Sequence, residues 1–309
     1  MRIAVTGASG FIGAAVATAL ADADHEVVGF GRRAHGWSHP SAGYRVWDIT
    51  SGPLRGDRDF DAVVHAAALA DDWAPIAEAL RVNRDGTRNV VRSFPGARVV
   101  HLSTSSVYDA FVPTVEASES TPPARRFLSS YSASKTVAEL ELAGVDAAIL
   151  RPHAVYGPGD TTLLPRLLAA VRRGRLGGRR LVLPEGAEVR HSLTHVDNLV
   201  LAVRRALDPS SPAGTYNIAD DTPVLLSVVL REFLERRGVP ARLVSVPYRT
   251  AFALAGALER AARVSRRRPR LTRYAVSQLG LERTLDLTAA REKLDYRPAP
   301  TNLVGAESW

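Results

Sequence analysis

The segment Thr6-Gly7-Ala8-Ser9-Gly10-Phe11-Ile12-Gly13 follows the apolar run Arg2-Ile3-Ala4-Val5 with no linker between them. A strand that runs into three spaced glycines and then into the helix-length stretch Phe11–Ala23 has to turn sharply at its carboxyl end. Gly7 permits the tight turn, Gly10 lets a phosphate approach the backbone, and Gly13 lets the helix pack closely on the strand. The free N–H groups of the helix start then face that phosphate. The pattern predicts a dinucleotide cradle built from Gly7, Ser9, Gly10, Phe11, Ile12 and Gly13.

The same alternation continues along the first half. Short β-branched runs at Ile3–Val5, Glu26–Phe30, Ala62–His65, Arg98–Leu102 and Ala147–Leu150 are separated by helix-length stretches at Phe11–Ala23, Trp73–Phe94 and Tyr131–Ala143. This predicts an α/β fold with a parallel sheet covered on both faces and ligands beyond the carboxyl ends of its strands. After Arg151-Pro152 the segments shorten, at Leu163–Arg175, Leu181–Pro184, Leu226–Arg237, Ala251–Arg263 and Ala289–Leu294. The expected organisation is a dinucleotide-binding domain over 1–160, rejoined by 190–220 with Leu193–Ala206 returning to it. A smaller, discontinuous C-terminal substrate domain is expected over 161–189 and 221–309.

Composition narrows the function classes. With 309 residues, 46% hydrophobic and 23% charged, the chain has ordinary globular composition. It has no cysteine, which excludes disulfides and thiolate metal sites and fits a reducing compartment. No apolar run reaches the ~18–20 residues of a membrane span, and the first strand begins too early to leave room for a leader, so a cytoplasmic location is expected. The net charge of +8 is largely local, because between Glu259 and Arg273 seven arginines stand against one glutamate. That segment carries no recognition motif for nucleic acid, which is therefore not an expected partner. With the apolar Ala251–Leu258 before it, it reads either as a lid on an apolar substrate or an anionic surface, or as a helix with solvated arginines. Lysine is confined to Lys135 and Lys293, which draws attention to Lys135.

The second strand ends Gly31-Arg32-Arg33, where an NAD-binding chain places an acid for the ribose 2′-hydroxyl. Arg32 and Arg33 instead offer fork-shaped donors to a 2′-phosphate, so NADP is expected, with NAD as the alternative. A solvated arginine pair is the competing reading. Asp48, with Ile49 beside it, reads either as an adenine contact or as a turn residue. Tyr131 and Lys135 are four apart, on one helical face. A tyrosine of pKa ~10 is a poor acid–base catalyst at neutral pH, and an adjacent ammonium and a cofactor cation would lower it. Upstream, Ser103-Thr104-Ser105-Ser106 follows a strand and offers hydroxyls to a substrate oxygen.

Taken together, TGASGFIG at 6–13, HAAA at 65–68, VNRDGT at 82–87, STSSVY at 103–108, YSASK at 131–135 and RPHAVYGPGD at 151–160 resemble the extended short-chain dehydrogenase/reductase family. The resemblance implies a Rossmann-like doubly wound parallel sheet. It also implies Tyr131 as general acid/base, with Lys135 binding the nicotinamide ribose and depressing the tyrosine pKa. Thr104, counted back from Val107-Tyr108, takes the place of the hydroxyl that orients the reacting oxygen, with Ser105 as the neighbouring alternative. Asn83 resembles the helix asparagine that supports the site, and Ala66, Ala67 and Ala68 would line the nicotinamide ribose through their backbone. Ser103, Pro152, Ala154 and Val155 complete the expected cofactor contacts. The resemblance further implies a homodimer through the Trp73–Phe94 and Tyr131–Ala143 helices.

Departures from the family pattern separate its reactions. Ser105 and Ser106 stand where similar dehydratases carry an Asp-Glu pair, which disfavours dehydration. Nucleotide-sugar epimerases usually have Asn at the place of Ala154 and Arg at the place of His191, although Arg190 lies one residue away. Tyr108-Asp109 departs from the Gly that usually follows the Tyr. The segments THVDNL, YNIADDTPV, LTRYAVSQLG and LDLTAAREKLDYRP look more like the 3β-hydroxysteroid-dehydrogenase-like branch. That branch, which includes bacterial reductases of long-chain 3-oxo acids, implies hydride transfer between a nicotinamide and a secondary alcohol or ketone on a largely apolar small molecule. Ser105, His153, Tyr156 and His191 are the candidate substrate contacts, with structural hydrogen bonding as the alternative for His153 and a place in the wall or core of the cleft for Tyr156. The alternatives are a nucleotide-sugar epimerase that does not consume its NAD and a non-catalytic NADP-sensing protein. The His191/His195 spacing is not read as a metal pair, because no acid or third ligand accompanies it.

Overall fold

The computed structural model describes residues 1–173 and 178–309. Its centre is a sheet of seven parallel strands. In chain order these are β1 (Arg2–Thr6), β2 (Glu26–Gly31), β3 (Gly43–Val46), β4 (Ala62–His65), β5 (Arg98–Leu102), Ala147–Pro152 and Gly214–Ile218. Across the sheet the order is Gly214–Ile218, Ala147–Pro152, β5, β4, β1, β2, β3. The chain therefore starts in the middle and winds outward both ways, which opens a crevice at the carboxyl ends of β1 and β4. Ile3, Ala4, Val5, Val63, Val64, Val99 and Val100 are all buried, as both-face coverage of parallel strands requires.

Around the sheet lie α1 (Phe11–Ala21), α2 (Ile76–Leu80), α3 (Gly86–Ser93), α4 (Ser130–Leu140) and α6 (Val196–Ala206), while α5 (Leu163–Ala170) packs with Leu181 and Phe233 in the outer core. Val16, Ala17 and Leu20 of α1 share one core with Leu199, Ala202 and Val203 of α6. On the opposite face Phe30, Trp47, Phe60 and Phe94 meet edge to face and form a second core. The stretch 73–94, read from the sequence as one helix, is two helices joined by a widened π turn at Arg81–Asp85. Such turns displace a side chain from the helical register and concentrate at functional sites. The stretch 163–175 is helical only to Ala170, after which Arg172–Arg173 joins a sheet; positions 174 and 175 lie outside the described residues.

The outer part consists of α7 (Leu226–Arg236), α8 (Tyr248–Ser265), α9 (Arg273–Gly280), α10 (Thr288–Lys293) and short strands. Val224–Leu225, Arg190–His191, Arg283–Leu285 and Thr114–Ala117 form a four-stranded sheet that brings the C-terminal segment against the loop after β5. Buried Asp220 ties several pieces together, accepting from the His195 N–H, the Asn198 amide and the hydroxyls of Tyr156 and Thr301. In the basic segment Arg260, Arg263, Arg266, Arg267 and Arg270 are exposed, as the reading of a helix with solvated arginines expects, while Arg268 and Arg273 are paired. Arg268 pairs with both Asp71 and Asp72 at 2.8 Å, Thr272 donates to Asp72, and buried Glu259 takes the backbone and side chain of Arg273. These contacts strap α8 and α9 to the loop that follows β4. Among the described residues, no helix is long and apolar enough to cross a membrane.

Candidate active site

The glycine turn lies at the carboxyl end of β1, and its geometry leaves no freedom at two of the three glycines. A Cβ on Gly13 would sit 2.1 Å from the Gly7 carbonyl oxygen, and one on Gly7, whose φ is +73°, would sit 2.7 Å from the Ala67 nitrogen. A Cβ on Gly10 would meet only the Gly7 oxygen, at 3.4 Å, so the space above Gly10 is open. Phe11, Ile12 and Gly13 open α1, where backbone N–H groups have no intrahelical acceptor. This open cradle at a helix start fits the pyrophosphate of a dinucleotide. The loop of Ala66, Ala67 and Ala68 forms its wall, with the Ala66 N–H donating to the Thr6 carbonyl.

Beyond β2, Arg32 is exposed, and Arg33 reaches back to donate to the Ser9 carbonyl at 2.6 Å. Asp48 caps the turn Ile49–Ser51, accepting from the N–H and hydroxyl of Thr50 at 2.9 Å. Although burial opposes it, those bonds together with Arg32 and Arg81 hold the Asp48 carboxyl below its ordinary pKa. Ile49 is buried in the second core, where it covers Gly86. Asn83, in the π turn, accepts from the Leu69 N–H at 2.7 Å and donates to the Ser134 hydroxyl at 2.8 Å, linking the loop after β4 to α4.

Ser129 caps α4 by accepting from the Ser132 N–H, which sets Tyr131 and Lys135 one turn apart. Lys135 is 1% exposed and donates to the Leu102 carbonyl at 2.7 Å, with His101 Nε2 at 3.1 Å. Burial pushes its ammonium down to about 8, with Glu139 opposing the shift. The ring of Tyr131 is part-exposed. Burial of its hydroxyl raises the pKa, nearby Tyr274 adds to this, and the Thr104 hydroxyl opposes it. Enclosure dominates there, and the Lys135 ammonium is turned toward Leu102 and His101.

The loss of a proton from Lys135 near pH 8, rather than at the ~10.4 of an unfolded lysine, has a thermodynamic consequence. Between those values the unfolded chain binds more protons, so this group makes stability rise with pH. Denaturant titrations across that range are expected to show wild type gaining up to about 3 kcal/mol that Lys135→Met does not gain. Parallel pH profiles for the two proteins would contradict the assignment.

Ser103 does not present its hydroxyl to the cradle; it donates to Glu139, which Arg151 also grips through Nη2 at 2.6 Å and Nε at 3.0 Å. Thr104 accepts from the Ser106 N–H at 3.1 Å. Ser105 Oγ lies 2.9 Å from His153 Nδ1, and His153 Nε2 lies 3.2 Å from His191 Nδ1. Burial keeps both imidazoles neutral and, with Arg283 nearby, pushes His191 down to about 3. Tyr156 is buried, and its hydroxyl donates to Asp220 at 2.9 Å among a core that includes Leu181 and Phe233. Pro152 ends its strand, Val155 pairs with Thr194, and Ala154 between them takes a left-handed φ of 45°. His195 turns from His191 toward Trp309.

Three residues of this region were not singled out from the sequence. Tyr274 shares a hydrogen bond with Ser106 at 2.7 Å, Glu139 holds Arg151, and Arg283 is buried behind Ser105 and Ser106. Tyr274 lies in the LTRYAVSQLG segment, so a signal existed; the other two depend on contacts distant in the chain.

A family model described as the NAD dependent epimerase/dehydratase family matches residues 3–219. The chain belongs to this family. It is 32% identical to a 2-alkyl-3-oxoalkanoate reductase of Shewanella oneidensis over 94% of this chain and 81% of that protein. It is also 29% identical to a 3-beta-hydroxysteroid dehydrogenase of Mycolicibacterium neoaurum, over 96% and 87% of the two chains. Among solved structures, MoeE5 in complex with UDP-glucuronic acid and NAD superposes with a TM-score of 0.72 at 25% identity, covering 100% of this chain and 97% of that one. This member of the epimerase/dehydratase family is an NAD-dependent oxidoreductase of the extended short-chain type, as the sequence motifs imply.

Proposed function

We propose that this oxidoreductase reduces a ketone on a largely apolar small molecule, with Thr104, Tyr131 and Lys135 as the reacting set. The observation that carries the reading is buried Lys135 one helical turn on from Tyr131 in α4, beside Thr104 at the turn that follows β5. In the reducing direction Thr104 holds the carbonyl oxygen beside Tyr131, whose hydroxyl gives its proton to the developing alkoxide. The charge of Lys135 stabilises that alkoxide from behind. A dinucleotide held by its pyrophosphate in the Gly7–Gly13 cradle would supply the hydride from its reduced nicotinamide. Similarity to reductases and dehydrogenases named for oxo and hydroxy substrates supports the direction of this reading over epimerisation.

The cofactor we favour is NADP. Neither Arg32 nor Arg33 is followed or preceded by an acid at the end of β2, and Arg32 is exposed where a 2′-phosphate would lie. Arg32→Asp is expected to weaken NADPH binding about tenfold, the size of one charge-assisted hydrogen bond, and to leave NADH binding equal or tighter. Fluorescence titration of both cofactors reads this directly, and an unchanged NADPH affinity would return Arg32 to the solvent. A cytoplasmic homodimer through α2, α3 and α4 completes the reading, supported by exposed Ile76 and Leu140 on those helices.

The test is net oxidation of NADPH and NADH by the purified protein with 3-oxo acids, steroid ketones and UDP-sugars. Stoichiometric cofactor consumption with an apolar ketone is the expected result. Interconversion of sugars without net cofactor change would replace the reading with the epimerase.

A further inference from the structure

His101 lies on β5, two residues before Ser103, and is wholly buried. Its Nε2 stands 3.1 Å from Nζ of Lys135. Burial, with Lys135 and His65 nearby, keeps the imidazole neutral, well below its ordinary pKa. A neutral imidazole carries one proton and an ammonium can only donate, so Nε2 accepts from Lys135 and the proton of His101 sits on Nδ1. That Nδ1 has no partner among the described residues. Neighbouring His65, its ring centroid 5.1 Å away, shows the contrast, because Thr6 and Thr87 engage both of its nitrogens, at 2.7 and 3.0 Å. A buried donor without an acceptor is costly, and such an orphan needs an explanation of its own.

The other side of the ring supplies one. Lys135 also donates to the Leu102 carbonyl at 2.7 Å, so consecutive residues of β5 take two of its three N–H groups. The titratable and charged groups around it come from three elements. β4 contributes neutral His65, β5 contributes His101, and α4 contributes Tyr131 one turn before and Glu139 one turn after. Glu139 favours the ammonium without a hydrogen bond to it, since Arg151 and Ser103 hold its carboxylate. Among the described residues, His101 is therefore the one side chain that hydrogen-bonds the ammonium. Such a bond favours the charged form, and a neutral acceptor gives that support without cancelling the charge that a developing alkoxide needs.

We propose that His101 is a positioning residue for Lys135: its Nε2 holds the ammonium against β5 and keeps it protonated, and Nδ1–H is left without an acceptor for that reason. The proposal rests on the reductase reading for the part that Lys135 plays in turnover, and it adds to the reacting set a side chain that acts only through Lys135.

Lysine occurs only as Lys135 and Lys293, so the ammonium can be followed by itself, without turnover. Protein labelled at the lysine ε-carbon gives two NMR signals, which Lys293→Arg assigns, and the Lys135 signal of wild type is expected to titrate near pH 8. His101→Phe keeps a ring and removes the acceptor. It is expected to lower the Lys135 midpoint by about one to two pH units, the worth of a hydrogen bond to a charged group. His101→Gln, whose amide oxygen can still accept, is expected to keep the midpoint near that of wild type. A midpoint that Phe leaves in place, or that Phe and Gln lower alike, would overturn the positioning role. If His101→Phe does not fold, the imidazole nitrogen spectrum of wild type decides, with the His101 proton expected on Nδ1; a proton on Nε2 would overturn the role. In ketone reduction the alkaline limb of the kcat profile is expected to move with the NMR midpoint. A midpoint that moves in His101→Phe while wild type reduces no ketone would uphold the positioning role and remove the reductase reading. Ketone reduction with both limb and midpoint unmoved in that variant would do the reverse.

Discussion

Tyr131→Phe is expected to bind reduced cofactor as tightly as wild type and to reduce ketone ~10²- to 10⁴-fold more slowly, the range for loss of a positioned proton donor. The substitution keeps the ring, which is part-exposed, and removes only the hydroxyl. Fold and cradle are therefore undisturbed, and the whole effect falls on turnover. Cofactor fluorescence separates the two quantities in one sample. Retention of full turnover would move the proton to another donor, and Tyr274, which meets Ser106, would be the next residue to replace.

What the sequence made legible and what it did not follow one physical division. The strands Ala62–His65 and Arg98–Leu102 fall where the β-branched runs place them, because a strand buried on both faces must be apolar throughout. β3 and Gly214–Ile218 carry no such signature: β3 is a partly exposed edge, and the other interleaves Thr and Asn with its apolar residues. The cradle and the Tyr131–Lys135 pair were readable because each depends on spacing within a single strand–turn–helix or helical turn. The enclosure of the Tyr131 hydroxyl was not, because it depends on Tyr274, which arrives from α9 far along the chain. Arg283 was invisible for the same reason. Nothing in the local sequence Leu281-Glu282-Arg283-Thr284 says that its guanidinium will be buried behind Ser105 with only neutral acceptors around it. In the arginine-rich run most side chains are solvated as read, and the pairing of Arg268 with two aspartates from the loop after β4 lay beyond the local sequence.

The glycine turn supplies the other large effect, and a pair of substitutions divides its two roles. Gly13→Ala places a Cβ 2.1 Å from the Gly7 oxygen and 2.6 Å from the Gly7 carbon, both backbone atoms that cannot swing aside. Relief requires α1 to lift from β1, which opens the core that Val16, Ala17 and Leu20 share with α6. A cost above about 4 kcal/mol is expected, enough to remove most of the stability of an ordinary domain. Gly10→Ala meets only one atom, at 3.4 Å, an ordinary contact. Its methyl group points instead into the open cradle, so the melting temperature should stay near that of wild type while the affinity for either dinucleotide falls by tenfold or more, as loss of close phosphate contact with the helix start implies. Thermal denaturation and cofactor titration on the same two proteins check both halves. A Gly13→Ala protein as stable as wild type would mean that the helix is not seated on the strand as described. A Gly10→Ala protein with unaltered cofactor affinity would move the pyrophosphate away from this turn.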